Sequence, residues 1–296
     1  MKASAIIRII AFSLAIILLS FILLSVIDYN YYFENGRLHF YEDFEIEQPI
    51  DIIQQDVISS QVKNIEIEWV SGNVTIRSDP TAQGILVTEH YSSGSEYRMV
   101  MKQSGQTLKI QFSEDSIKLS SFGVNVDVNK DLFIAVPSDW SANSIEIDAA
   151  AAEVNIHDLS INELDFDGAS GNLILDNCNI TDLDIDTASG DVEFTGILEN
   201  LDFDAASAKF YGEFFENPRN LKMDSMSGDL ELVLPEDAGF ELNKDTVSGS
   251  FDTDFTFGKH NDLYICGDGN CKINVSAMSS DVSILKGITA GKNCDH

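Results

Sequence analysis

Aspartate recurs at one position of a repeated segment, and the resulting row of carboxylates could carry out chemistry. The recurring residues are Asp148, Asp167, Asp186, Asp204 and Asp224, separated by steps of 19, 19, 18 and 20 residues. Carboxylates that converge from neighbouring segments can bind a divalent cation, and oxygen ligands of this kind suit Ca²⁺. No D-x-D-x-D-G loop with a distal glutamate is present, so Ca²⁺ binding by this row is a hypothesis without a specific motif.

The same row also has a purely structural interpretation. Asn243 and Asn274 stand at the equivalent position of two later segments. Asx side chains commonly accept backbone N–H groups in turns, and an amide does so without carrying charge. The continuation of the row by asparagine favours this turn role over cation binding.

A second acidic row, two residues earlier in each segment, raises the question of hydrolysis. Its members are Glu146, Asp165, Asp184, Asp202, Lys222, Glu241 and Lys272. A glycosidase needs one carboxyl pair at a set separation with one raised pKa, and a periodic row singles out no pair. The histidines at 39, 90, 157, 260 and 296 are scattered, and no HExxH, GxSxG, P-loop or GxGxxG signature occurs. We therefore predict a non-catalytic protein with no catalytic residues.

The cysteines are Cys178, Cys266, Cys271 and Cys294. Cys266 and Cys271 flank the four-residue segment Gly-Asp-Gly-Asn, which reads as a turn between two strands. On the exported side of a membrane this spacing predicts a hairpin disulfide between them. The state of Cys178 and Cys294 is left open.

These residues belong to a repeat of about 19 residues. The units are IEIDAAAAEVNI from Ile145, LDFDGASGNLIL from Leu164, LDIDTASGDVEF from Leu183, LDFDAASAKFYG from Leu201, LKMDSMSGDLEL from Leu221, FELNKDTVSGSF from Phe240 and CKINVSAMSSDV from Cys271. Apolar residues two apart share one face of a strand, and the Ser-Gly pair between the two halves marks a tight turn. Each unit therefore reads as strand, turn, strand.

One such unit cannot bury its apolar row alone, so stacked units are required. The repeat predicts an all-β protein, a β-solenoid with coils of roughly 19 residues over 141–288. A hexapeptide left-handed helix would need a strict six-residue motif that is not present, which leaves a right-handed parallel β-helix or a two-sheeted solenoid. We predict the right-handed form, followed by a tail at 289–296.

The region before the repeats has a different pattern. Residues 65–76 match the repeat unit, but strand-like segments with Gly/Ser stretches between them follow. This predicts an N-terminal antiparallel β region over 46–140, either a separate domain or an insertion in an early coil. Because open stacks need protected ends, we expect this region to cover one end of the solenoid and a C-terminal hairpin to cover the other.

A membrane anchor is predicted near the N-terminus. Residues 9–27 carry no charge, and nineteen helical residues span about 28 Å, close to the hydrocarbon thickness of a bilayer. Lys2 and Arg8 precede the segment, so residues 1–8 form a cytoplasmic stub and the rest is exported after a linker at 28–45. A cleaved signal peptide is the competing interpretation. Membrane lipid is thus one expected partner.

The overall charge excludes one class of partner. The chain has 18 basic and 49 acidic residues, for a net charge of −31. Such a surface repels DNA and RNA at short range, so we predict no nucleic-acid binding. The acidic residues alternate with apolar ones, which is typical of a solvated sheet face.

The motifs SGNVTI, the Val136-Pro137 strand end and the recurrent SGNL, SGDV and SGDL together resemble a bacterial family of putative adhesins of unknown function. The resemblance covers about residues 46–288. It implies a β-solenoid, often behind a membrane anchor and sometimes linked to envelope stress, and it supplies no catalytic residues. The sequence departs from the family pattern at Ala151-Ala152 and Ser207-Ala208, where the turn glycine is missing.

Three functions follow as hypotheses. The first is a non-catalytic, membrane-anchored extracytoplasmic module for adhesion or envelope interaction, with an envelope protein or a surface glycan as partner. The second is a sensory or regulatory ectodomain that acts through a membrane partner, since a stub of eight residues is too short to signal. The third is a carbohydrate-active enzyme. No cofactor is expected other than Ca²⁺ at the aspartate row.

Overall fold

The computed structural model describes residues 31–34, 37–40, 51–58, 61–92, 98–113, 130–260 and 263–287. All regular structure in these residues is β-strand, which confirms the all-β prediction. The strands are β1 (Tyr31–Glu34), β2 (Arg37–Phe40), β3 (Asp51–Ile58), β4 (Asn64–Asp79), β5 (Ile85–Ser92), β6 (Val100–Ser104), β7 (Thr107–Gln111), β8 (Lys130–Pro137), β9 (Ser141–His157), β10 (Ser160–Gly168), β11 (Leu173–Ser189), β12 (Val192–Ser207), β13 (Phe210–Phe214), β14 (Asn220–Ser227), β15 (Leu230–Leu234), β16 (Phe240–Ser248), β17 (Phe251–Thr253), β18 (Phe257–His260), β19 (Leu263–Cys266), β20 (Cys271–Ser279) and β21 (Val282–Lys286).

The predicted anchor at 9–27, with the stub, most of the linker and the tail, lies outside the described residues. Within the described part of the chain, no helix has the length and apolar character needed to cross a membrane.

Parallel strands stack in two sheets, as the repeat predicts. The first sheet contains the strand that precedes the turn of each unit, and the second sheet contains the strand that follows it. In the first sheet Asp148, Asp167, Asp186 and Asp204 lie directly opposite one another, one from each of four successive coils. The steps of 18–20 residues are therefore the true coil length, and the β-solenoid is confirmed. The hand of the winding stays a prediction.

Apolar ladders fill the interior. Ile147, Phe166, Ile185, Phe203 and Met223 occupy one position of successive coils, and none exposes more than 1% of its surface. Burial of each such side chain stabilises the fold by about 1.5–3 kcal/mol. Outward residues alternate with them along each strand, which places every acidic row on solvent.

Glycine is required at the stacked turns. Gly171 and Gly190 have φ values of +115° and +132°, a region that glycine enters without strain. A Cβ on Gly190 would lie 1.9 Å from the carbonyl oxygen of Gly171, and one on Gly171 would lie 2.1 Å from that of Ala152. The Ser-Gly motif thus permits close backbone stacking from coil to coil.

The coils at the C-terminal end do not stack in chain order. β14 pairs with β20, and β20 pairs with β16, so the coil at 271–286 lies between the coils at 220–234 and 240–253. The second sheet repeats this order, because β21 lies between β15 and β17. The last coil of the chain is therefore an inner coil of the stack.

The N-terminal end shows the same exchange of order. β4 pairs in parallel with β9 over Asn64–Arg77, and its other edge pairs in parallel with β7 and β8. The coil at 64–79 thus lies between the coil built from β7 and β8 and the coil at 144–157. Residues 64–79 are a solenoid coil, so the solenoid begins well before residue 141.

Antiparallel strands close the stack, as expected for protected ends. At the N-terminal end β6 pairs with β7, while β5 pairs with β8 and β3 with β5, all antiparallel. At the C-terminal end the hairpin of β18 and β19 pairs with β16. The antiparallel segments before residue 140 are therefore additions to early coils.

The expected hairpin at Cys266 and Cys271 is wrong. Both cysteines are register partners of Phe240, one on each side of it, so β16 separates β19 from β20. Two strand spacings amount to about 9.6 Å, whereas bridged cysteines have Cα atoms within about 7 Å. Both are free, buried thiols here. The disulfide between them stays a prediction, and its formation would require the loop to move.

Candidate functional site

The outward surface of the first sheet carries a grid of carboxylates, which we call the acidic face. Two neighbouring rows run along the stack, and adjacent members are about 4.8 Å apart from strand to strand. Its members are Glu66, Glu68, Glu146, Asp148, Asp165, Asp167, Asp184, Asp186, Asp202, Asp204 and Asp224. The structure thus brings all five aspartates of the predicted row together.

Glu66 and Glu68 were missed by the sequence analysis as members of this surface. They lie opposite Glu146 and Asp148 on β4. The match of residues 65–76 to the repeat unit was the signal that could have placed them.

Two lysines mark the limits of the uncompensated charge. At one end, Lys109 pairs with Glu68, and its Nζ lies 3.8 Å from Glu66 Oε2. At the other, Lys222 Nζ lies 2.5 Å from Asp202 Oδ1 and 3.3 Å from Asp224 Oδ2. Among the described residues, no cation pairs within 4 Å with the six carboxylates of the three coils between them. Negative charge is therefore concentrated on those three coils.

The pKa values of the acidic face record this crowding. Partial burial, followed by the charges of Asp165 and Asp186, raises the pKa of Asp167 to about 6. Partial burial likewise raises the pKa of Asp204 to about 6, although Lys222 acts in the opposite direction. The same two causes, burial first and neighbouring carboxylates second, raise the pKa values of Glu146, Asp148, Asp184 and Asp186.

These pKa shifts predict that mild acid stabilises the protein. For Asp167 the folded pKa of about 6 exceeds the ordinary value of 3.8, so the folded state binds more protons between these pH values. Stability should therefore rise as the pH falls from about 7 towards 4. Because the carboxylates are partly exposed and screened, we expect about 1 kcal/mol in total, or a Tm about 2–4 °C higher at pH 5 than at pH 7.5.

Differential scanning calorimetry at the two pH values measures this shift. A variant with Asp165, Asp167, Asp184 and Asp186 all changed to asparagine is the control, and its Tm should depend less on pH. A Tm that falls between pH 7.5 and pH 5 in the unmodified protein would contradict the prediction.

The turn role expected for the aspartate row belongs to another row. Asn172 Oδ1 accepts the Asp191 backbone N–H at 3.0 Å, and Asp191 Oδ1 accepts that of Lys209 at 3.1 Å. Asp281 Oδ1 accepts the Ser250 N–H in the same way. These are the D/N residues of the Ser-Gly motif. In the described residues no backbone N–H donates to the aspartates of the predicted row, so that interpretation is wrong.

The predicted continuation of the row through Asn243 and Asn274 is also wrong. Asn274 lies opposite Lys222, and Asp224 lies opposite Ser276. The last two units are therefore displaced by two residues relative to the expected alignment. The first row continues through Ser276 to Asp245, while Asn274 and Asn243 extend the second row.

Calcium binding by the row stays untested. In the described part of the chain, no group of three or more Asp, Glu, His or Cys residues is arranged to hold a metal ion. The carboxylates spread along the stack and do not converge on a point.

A buried ion pair near the N-terminal end was not expected from the sequence. The side chains of Lys130 and Glu89 are both fully buried and contact each other through Nζ and Oε1. Lys130 Nζ also donates to the Phe112 carbonyl and lies 5.1 Å from the centre of the Trp69 ring. The Met99 backbone N–H donates to Glu89 Oε1 at 3.0 Å. The pair connects β5, β8 and the strand ends around them inside the solenoid.

Comparison with known proteins adds a family to this architecture. The family model described as Toastrack DUF4097 matches residues 62–285, from the first coil to the end of β21. The chain belongs to the Toastrack DUF4097 family. The match places the out-of-order coils at both ends inside the Toastrack region. No curated protein sequence matches the chain significantly.

Solved structures similar to this Toastrack chain come from three bacteria. A protein named a putative cell adhesion protein from Clostridium sporogenes is 11% identical, with a TM-score of 0.38, over 81% of this chain and 100% of the other. A putative adhesin from Bacteroides fragilis is 13% identical, with a TM-score of 0.38, over 79% and 97%. A putative lipid binding protein from Parabacteroides distasonis is 13% identical, with a TM-score of 0.38, over 80% and 97%.

Proposed function

We propose that the chain is a non-catalytic binding module of the cell envelope, adhesin-like in role, with the acidic face as the surface that contacts its partner. The observation that carries this proposal is the concentration of unpaired carboxylates on three successive coils. Their raised pKa values show that this arrangement costs stability, and the turn hydrogen bonds of the fold are made by other residues. Function accounts for a charge array that the fold does not need.

The proposed partner carries positive charge. Six carboxylates between Lys109 and Lys222 form a surface about two rows wide and three coils long, or about 10 Å along the stack from the first coil to the third. An envelope protein with basic side chains, or a surface glycan bearing amino groups, complements this charge. We further propose that residues 9–27 anchor the module in the membrane with the solenoid on the extracytoplasmic side.

The proposal assigns no catalytic role to any residue. A glycosidase distinguishes one proton donor from one nucleophile or base. On the acidic face the raised pKa values are shared among residues of one periodic array, which gives no carboxyl a distinct role.

The test compares two variants of equal net charge. One changes Asp165, Asp167, Asp184 and Asp186 to asparagine, and it neutralises the centre of the acidic face. The matched control changes Glu193, Glu213 and Glu231 to glutamine and Asp252 to asparagine, which are exposed residues on the outer surface of the second sheet. Each variant loses four negative charges.

Full-length protein carrying either set is cross-linked in its native membranes and purified, and the captured partner is quantified. We expect at least a tenfold loss of capture for the acidic-face variant and less than a twofold change for the control. Equal capture by both variants, or an equal loss in both, would show that the acidic face is not the contact surface.

A further inference from the structure

The coil Cys271–Lys286 is held on both sides along its length. Val275 lies opposite Met223 on one side and Lys244 on the other, and Ile284 lies opposite Leu232 and Thr253. The coil at 240–253 reaches the rest of the stack through this segment, because no strand of 240–253 pairs directly with β14 or β15. The segment therefore occupies a slot between two coils that precede it in the chain.

The segment inserts with a complete apolar face. Its inward side chains are Cys271, Ile273, Val275, Ala277, Val282 and Ile284, and each exposes at most 2% of its surface. Without the segment, the slot would present inward residues of both flanking coils, among them Leu232 and Leu242, and two rows of unpaired backbone groups. An open slot is thus a template for one segment of this length and pattern.

The connection into the slot is short and glycine-rich. Gly267 and Gly269 have φ values of +56° and +66°, and the Gly267–Asn270 turn passes over Gly239 at the start of β16. The preceding hairpin of β18 and β19 is attached to β16 by its own hydrogen bonds. Opening of this turn therefore releases the segment and leaves the neighbouring strands paired.

We propose that Cys271–Lys286 is an exchangeable coil, and that the slot opened in one copy is filled by the same coil of a second copy. The reciprocal dimer makes the contacts of the two monomers again, so concentration rather than new interactions decides between them. The net charge of −31 opposes the approach of two copies, so exchange should increase with ionic strength. This proposal goes beyond the function of the acidic face and does not depend on it.

Cross-copy disulfides test the exchange. Asp224 and Ser276 are outward register partners on β14 and β20, and cysteines at such positions lie within bridging distance. In a background with the four native cysteines changed to alanine, one copy carries Asp224→Cys and the other carries Ser276→Cys. The two are mixed, opened at the urea midpoint, returned to buffer with 0.5 M NaCl at high concentration, and oxidised.

We expect a disulfide-linked dimer that contains one of each variant. A second pair in the other sheet, Glu231→Cys with Ser283→Cys, should give the same product, since these residues are also register partners. Both changes of a pair placed in one chain form the positive control, which must cross-link within the monomer.

An interior pair provides the specificity control. Asp167 and Asp186 are register partners in coils that stack in chain order. Separate copies with Asp167→Cys and Asp186→Cys should yield at least tenfold less mixed dimer. Mixed dimer from the interior pair in similar yield, or none from either end pair while the one-chain controls cross-link, would overturn the proposal.

Discussion

Replacement of Lys130 by methionine should lower the free energy of unfolding by about 3–5 kcal/mol, because the carboxylate of Glu89 then lies in the solenoid interior without its cation. Both side chains are fully buried, and water cannot take the place of the ammonium group. The Phe112 carbonyl loses its donor at the same time. Urea denaturation followed by tryptophan fluorescence measures the loss, since Trp69 lies beside the pair.

Two further variants separate the buried charge from general damage. Lys109→Met removes an exposed lysine that also pairs with a glutamate, and it should cost less than about 1 kcal/mol. The double variant Lys130→Met/Glu89→Gln leaves no buried charge and retains an acceptor for Met99. It should be at least about 2 kcal/mol more stable than Lys130→Met alone. Additive losses in the double variant would show that the two charges do not stabilise each other.

Gly190→Ala should lower the free energy of unfolding by at least about 3 kcal/mol, which is the second of the two largest effects. The added Cβ would lie 1.9 Å from the backbone oxygen of Gly171, and no side-chain rotation relieves a contact with the backbone. The φ of +132° is also unfavourable for alanine. The coil would have to move away from its neighbour, which would weaken the strand pairing on both sides of the turn.

Gly258→Ala is the matched control for this substitution. A Cβ at Gly258 meets no atom within 4 Å, so its effect on the free energy of unfolding should stay within about 0.5 kcal/mol. Equal denaturation midpoints for Gly190→Ala and the unmodified protein would contradict the close stacking of the Ser-Gly turns.

The coil itself could be predicted because its information is local. Each unit carries its own alternation and its own Ser-Gly turn, so strand, turn and length follow from about 19 residues. The order of the coils could not, since the units from Phe240 and Cys271 have the same inward pattern. Which of them contacts the unit from Leu221 depends on the path of the connection at 254–270.

The acidic face shows where a repeat pattern becomes ambiguous. Rows through Asp224 were aligned correctly because the units before it differ by one residue at most. Asn274 was placed two residues away from its true neighbours. A slip of two residues keeps every apolar side chain on the inner face, so alternation cannot detect it. The pair of Lys130 and Glu89 was also beyond prediction, because 41 residues separate its members.

The interlocked coil order also restricts how such a protein can change in length. A copy of the last coil added after Lys286 would have no free edge, since that coil is already paired on both sides. Duplication within the middle of the stack, where coils follow one another in chain order, adds a coil without disturbing either end. The units from Leu164, Leu183 and Leu201 lie there and are the most alike. Gains and losses of coils among relatives are therefore expected in this interior stretch, with both ends kept intact.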